Sequence, residues 1–354
     1  MRRVFSSACA FVVLTAGLAR GAPAAADTGA IKAYLLDKVR MMDAAAHDFA
    51  DRASAYQQLI ARHGNDYNQA ALEEGPALLP LLVKMQDDYR AFHNRGYETI
   101  EGITAGTARF VDFDTYLDAG VPKGEATTDN PAAPLVLRTP AGQTLVDRDG
   151  NLFHYVIEPT LWGTKTVFLK VLSPQASAAA KGLRYLPRVE VLTAAATDLA
   201  RKLDDLLAKS EAWQPTLDEC VGALVWMTPT LNGYFDDWRD SRYNPSHALG
   251  RYVAQSRVLD MRGIMSSLQL TYRAIQPALS AKDPALARQI ERGYAAIMEF
   301  IARTNAGEQS GKMSILEIEE LAYQAKALTD QLGPELKQAV ALLGVNLPRK
   351  PTLI

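Results

Sequence analysis

Cysteine is nearly absent from this 354-residue chain, with only Cys9 and Cys220. Cys9 falls in a segment expected to be removed, so no intramolecular disulfide can form and the fold has to rest on its core. Cys220 reads as a small buried hydrophobe. An excess of basic residues is also missing. Lys and Arg total 38 against 40 acids, a net charge of −2 that gives no footing on nucleic acid or an anionic membrane. There is no Gly-rich phosphate loop and no His-Glu-x-x-His. The five histidines (His47, His63, His93, His154 and His247) include no pair at i, i+4, so the usual helical zinc-peptidase ligand pair is lacking.

What is present starts with an export signature. Arg2 and Arg3 precede an apolar stretch, Ala8–Leu18, that is too short to span a bilayer, and Ala24-Ala25-Ala26 offers small residues for cleavage. Residues 1–26 are expected to be a signal peptide, giving a periplasmic protein that is not membrane-spanning. Removing them takes away Arg2, Arg3 and Arg20 and no acid, which makes the mature chain more acidic.

Helical periodicity dominates the rest. Ile31, Leu35, Val39, Met42, Phe49, Tyr56 and Ile60 mark a first long helix, and a second is expected over 77–102. Later helices are expected near 189–207, 216–227, 248–275, 284–303 and 314–332. Asp283-Pro284 and the Ser314–Glu317 capping box signal two starts, and Gly333-Pro334 a stop before a short helix to Leu343. Residues 119–151 differ, being rich in Pro, Gly and Thr. Leu135–Leu137 and Thr144–Val146 around Pro140–Gly142 predict a β-hairpin, followed by a turn at Asp149–Asn151. The expected fold is all-α: two antiparallel helical bundles of four-helix type, 27–186 and 187–354, with the hairpin excursion in the first and β structure confined to about 133–157.

Acidic residues collect around one histidine. Glu98 and Glu101 would share a helix face at i, i+3; Asp112, Asp114 and Asp118 follow; His154 and Glu158 stand at i, i+4. Carboxylates with one imidazole suit iron, manganese or zinc. Asp112 and Asp114 read as caps, a role Asp fills routinely. A calcium loop at Asp147–Glu158 fails, because its glycine stands at the fourth position and Leu152 at the sixth. Tyr234–Asp240, which mixes aromatics with acids, reads as an inter-helix loop.

At these residues the chain resembles the EfeO/EfeM type of periplasmic iron-uptake protein, the related algal iron-assimilation proteins, and the wider imelysin-like (M75) superfamily. The resemblance lies in Tyr97-Glu98-Thr-Ile-Glu101, in Asp112, Asp114 and Asp118, and in His154 upstream of Glu158-Pro-Thr-Leu161-Trp162-Gly163. Ser246-His247 and Leu342-Leu343-Gly344 add to it. Two departures stand out: His-x-x-x-Glu replaces the family's His-x-x-Glu, and the 119–151 excursion is longer than in compact bacterial members. The resemblance implies iron, as Fe2+ or Fe3+, with zinc as an in-vitro substitute. It also implies delivery to a permease of the EfeU/Ftr type, with an EfeB-type peroxidase nearby. The expected ligands are Glu98, Glu101, Asp118, His154 and Glu158, centred on Glu101, His154 and Glu158, with Glu98 and Asp118 either ligating or orienting a ligand. A zinc metallopeptidase and a metal-free helical interaction module are the competing readings.

Overall fold

The computed structural model describes residues 25–126, 131–139, 142–239 and 252–350. The signal-peptide expectation, the hairpin tip, Asp240 and the Ser246-His247 pair fall wholly or largely outside them.

The chain is all-α with a small β component. In order run α1 (Thr28–Arg62), α2 (Tyr67–Tyr89), α3 (Glu101–Thr104), α4 (Val111–Asp114), strands β1 (Pro134–Arg138) and β2 (Thr144–Asp149), and α5 (Glu158–Trp162). Then come β3 (Leu169–Val171), α6 (Pro174–Ala179), β4 (Tyr185–Pro187), α7 (Val189–Ala212), α8 (Leu217–Met227) and α9 (Leu231–Trp238). The final helices are α10 (Arg257–Ser280), α11 (Pro284–Gln309) and α12 (Ile315–Leu343). Asp27 caps α1, whose residues Ile31, Leu35, Val39, Met42, Phe49, Tyr56 and Ile60 are all buried. Each large apolar side chain on that stripe contributes about 1.5–3 kcal/mol by burial. The stripe packs mainly on α7 and α2. Beyond it, α10 packs on α11 and α8, and α12 on α11 and α9. The boundary expected at 186/187 falls inside β4, just ahead of α7, and α7 lies along α1 across it.

Three expectations need correction. The helix expected over 77–102 begins earlier, with Asp66 as its cap, and breaks at Tyr89. A π-helical turn (Arg90–Asn94) and a 3-10 turn (Tyr97–Thr99) follow before α3. Glu98 and Glu101 therefore sit on different turns and not on one regular face. The break lets this segment press onto α10, where two glycines make the close approach. A Cβ on Gly263 would lie 2.9 Å from the Glu98 carbonyl oxygen, and one on Gly102 2.4 Å from Ser267 Oγ. Second, Gly333-Pro334 does not stop α12. An internal proline costs roughly 3 kcal/mol, and here Leu332, Leu336 and Ala339 continue the buried face across it. Third, β structure extends past 157. The antiparallel β1–β2 hairpin forms with Leu137 opposite Val146, but β3 also pairs antiparallel with β4. Strands of three residues are too short to show a period in sequence.

Candidate metal centre

Three π turns and one 3-10 turn build the centre. His93 lies in the π turn Arg90–Asn94, Asp118 in a second π turn (Thr115–Ala119), and His154 in a third (Phe153–Ile157). A π turn widens the helix by one residue and re-aims its side chains, and such turns recur at functional sites. Glu98 comes from the 3-10 turn between the first π turn and α3. Asn151 ties the segments together. Its amide nitrogen donates to the Asp118 and Gly120 carbonyls, and its Oδ1 accepts from the His154 backbone N–H.

One donor atom from each of His93, Glu98, Asp118 and His154 lies within 4.8 Å of the others, and all four residues are buried. His93 Nε2 is 3.0 Å from Glu98 Oε1 and 3.2 Å from Asp118 Oδ1, and His154 Nε2 is 3.0 Å from Asp118 Oδ1. Bonds of about 2.1 Å at right angles put neighbouring ligand atoms about 3.0 Å apart, so the spacing fits a six-coordinate transition-metal ion. The donors are also left open: neither Glu98 oxygen nor His154 Nε2 has an aligned hydrogen-bond partner. Buried polar atoms are rarely left so.

The tautomers follow from the outer contacts. Glu158 Oε2 accepts from His154 Nδ1 at 3.0 Å, which leaves the Nε2 lone pair facing Asp118. At His93, Asn94 Nδ2 donates to Nδ1 at 3.0 Å while Asn94 Oδ1 has no partner. In that arrangement the Nε2 proton points at Asp118. Turning the amide over lets Oδ1 accept from Nδ1–H, and both imidazoles then present lone pairs to the centre.

Charge explains why a cation fits. Burial, reinforced by Asp260 and Asp118, drives the Glu98 carboxyl well above its ordinary range, and burial with Glu98 and Asp118 does the same to Glu101. Burial and Asp118 push Asp114 up to about 7. Burial also opposes ionisation of Asp118, but His154 and His93 outweigh it and hold that carboxyl low. Conversely, burial pulls both imidazoles down, and Asp118 chiefly reverses this, raising them. Such a cluster needs protons or a metal to offset its charge.

Of the five residues expected as ligands, Glu98, Asp118 and His154 converge, while Glu101 and Glu158 lie outside the group. Both Glu158 oxygens are occupied: Oε2 also accepts from Tyr252 N at 2.9 Å, and Oε1 accepts from Ala254 N at 2.8 Å. These contacts hold its carboxyl below the ordinary value although burial works the other way, with His154 the largest opposing influence. Glu101 Oε1 accepts from Tyr234 OH at 3.1 Å, and its Oε2 is unpartnered. Asp114 does not cap a helix; it is buried and accepts from Tyr97 OH at 2.8 Å, whereas Asp112 is exposed. Tyr234–Trp238 belongs to α9 and reaches the site through Tyr234, so it is not a loop. His93 also joins the group, and nothing in local spacing marks it. Its one sequence signal is a histidine five residues before Glu98.

A helical protein with a buried histidine–carboxylate centre suited to one cation is the class these features define. The imelysin family model (peptidase M75) matches residues 33–339. The chain belongs to the imelysin family. Comparison with curated proteins gives no match.

Proposed function

We propose that this protein is a non-catalytic carrier that binds one transition-metal ion, with iron its cargo, through His93, Glu98, Asp118 and His154. The carrying observation is the convergence of four buried donor atoms within 4.8 Å, with no aligned hydrogen bond at His154 Nε2 or at either Glu98 oxygen. Two nitrogens and two carboxylates suit Fe2+ or Zn2+ better than calcium, which takes oxygen alone. The signal-like residues 1–26 and the EfeO-like motifs support a periplasmic place in iron uptake, ahead of an EfeU/Ftr-type permease. Among the described residues no helix is long and apolar enough to cross a membrane.

Anaerobic titration of the mature chain with Fe2+, and separately with Zn2+, tests the reading. One ion per chain is expected, lost in the His93→Ala/His154→Ala double variant, with no hydrolysis of a casein substrate by the loaded protein. Metal-dependent hydrolysis would favour the peptidase reading, which requires an open coordination position and a general base. No binding at all would favour the metal-free interaction module.

A further inference from the structure

Beside the four-donor group, and sharing Glu98 with it, lies a second cluster of buried polar side chains. At its middle is Arg257, the first residue of α10, only 3% exposed. Its guanidinium is clamped between two rings, 4.5 Å from the Tyr234 centroid and 4.8 Å from that of Tyr252. Stacking of this kind fixes the planar group without hydrogen bonds. Its Nε and Nη1 donate none. Nη1 lies 3.8 Å from Glu98 Oε2 and 3.8 Å from Asp260 Oδ2, both too long for hydrogen bonds, and both oxygens lack partners. Glu101, another near acid, also keeps one open oxygen.

A buried arginine normally pairs its fork with a carboxylate at hydrogen-bond distance. Here the cation sits 3.8 Å from Glu98 and Asp260 oxygens and 3.9 Å from Asp237 Oδ2, beyond hydrogen-bond reach of each, as an ion held by charge would. Glu98 shows the arrangement most clearly. Its Oε1 faces His93 and the four-donor centre, while its Oε2 faces the guanidinium. A carboxylate with one oxygen toward each of two cations is the bridge of a two-metal site, whose ions stand about 3.5–4 Å apart.

We propose that Arg257 holds the second cation position of a carboxylate-bridged pair, so that the centre takes one ion and not two. The proposal rests on the metal-binding reading above. Replacing the guanidinium with a neutral side chain leaves Glu98, Glu101 and Asp260 with open oxygens and no balancing charge. A second divalent ion then becomes the means of neutralising them.

The test counts ions. Mn2+ and Zn2+ are loaded onto the full mature chain, the excess is removed, and bound metal is measured per chain by mass spectrometry. All proteins carry His47→Ala, because Asp43, His47 and Asp204 form another donor group on the more exposed α1–α7 face. The expected result is one ion with Arg257 present, two in Arg257→Gln, and one again in Arg257→Gln/Asp260→Asn. Electron paramagnetic resonance should show an isolated Mn2+ with Arg257 present and a spin-coupled pair in Arg257→Gln. A folded Arg257→Gln protein holding one ion overturns the proposal and leaves the metal centre standing. Zero ions with Arg257 present overturns both. If Arg257→Gln fails to fold, Asp260→Asn alone decides. Its carboxamide can still accept from Gln255, so affinity should stay within about tenfold with one ion bound. Loss of the ion, or a coupled Mn2+ pair with Arg257 present, overturns the proposal.

Discussion

Replacing Glu158 with alanine separates a metal ligand from a group that aims one. The carboxylate accepts from two buried donors, His154 Nδ1 and Tyr252 N, and from the half-buried Ala254 N. Alanine leaves all three without an acceptor, and an orphaned buried donor costs about 1–3 kcal/mol. Water entering the vacated space relieves part of this, so the loss should lie near the low end of the total, about 3 kcal/mol. Urea unfolding of metal-free protein measures it. The folded carboxyl titrates below its ordinary value of 4.5. The ionised form's stabilisation is therefore fully present above that value and disappears as pH falls through the folded value. The gap between Glu158→Ala and the parent should accordingly narrow in acid. For metal, losing the acceptor frees the His154 ring to turn and to change tautomer. Removing an orienting partner of this kind typically lowers affinity about 10–100-fold. Competition with a chromophoric chelator for Zn2+ reads that range. Affinity within twofold of the parent would show that Glu158 does not orient His154. A loss beyond roughly 10,000-fold, far above the range for an orienting partner, would mark Glu158 as a ligand and refute its placement outside the donor group.

His93→Ala should weaken Zn2+ binding by more than the roughly 100-fold limit of an orienting neighbour, whereas Glu101→Gln should change it less than tenfold; the reverse order in the same competition assay would move the centre towards Glu101. Gly163→Ala should destabilise by about 2–5 kcal/mol, because Gly163 has φ +72° and a Cβ there would lie 1.8 Å from the Tyr185 ring; an unchanged urea midpoint would contradict that packing. Asp114, with an ordinary pKa of 3.8 pushed up to about 7, is held protonated by the fold. Its contribution is thus full at low pH and is lost as pH rises between those values, so Asp114→Asn should flatten the stability profile of the metal-free protein across that window. A profile as steep as the parent's would assign the titration elsewhere.

Much of this molecule is decided by short-range rules. The stripe from Ile31 to Ile60 makes α1 because its spacing fits 3.6 residues per turn, and the Ser314–Glu317 box and Asp283 start their helices where local capping requires. The hairpin pairing is likewise local, made by two strands that are neighbours in sequence. The acidic motif and its histidine were legible as chemistry, and Glu98, Asp118 and His154 do meet. What the sequence could not show is the register in which they meet. Each of the three π turns shifts the side chains of its segment by one residue, and no periodicity announces that shift. His93 enters the centre only because the first π turn and the following 3-10 turn carry it to Glu98 Oε1. Glu158 is kept outside because Tyr252 and Ala254, almost a hundred positions later, claim its oxygens. Arg257 comes to the Glu98 carboxylate on a helix that packs there through Gly263 and Gly102. Residue type set which atoms could hold a cation; long-range packing decided which of them face it.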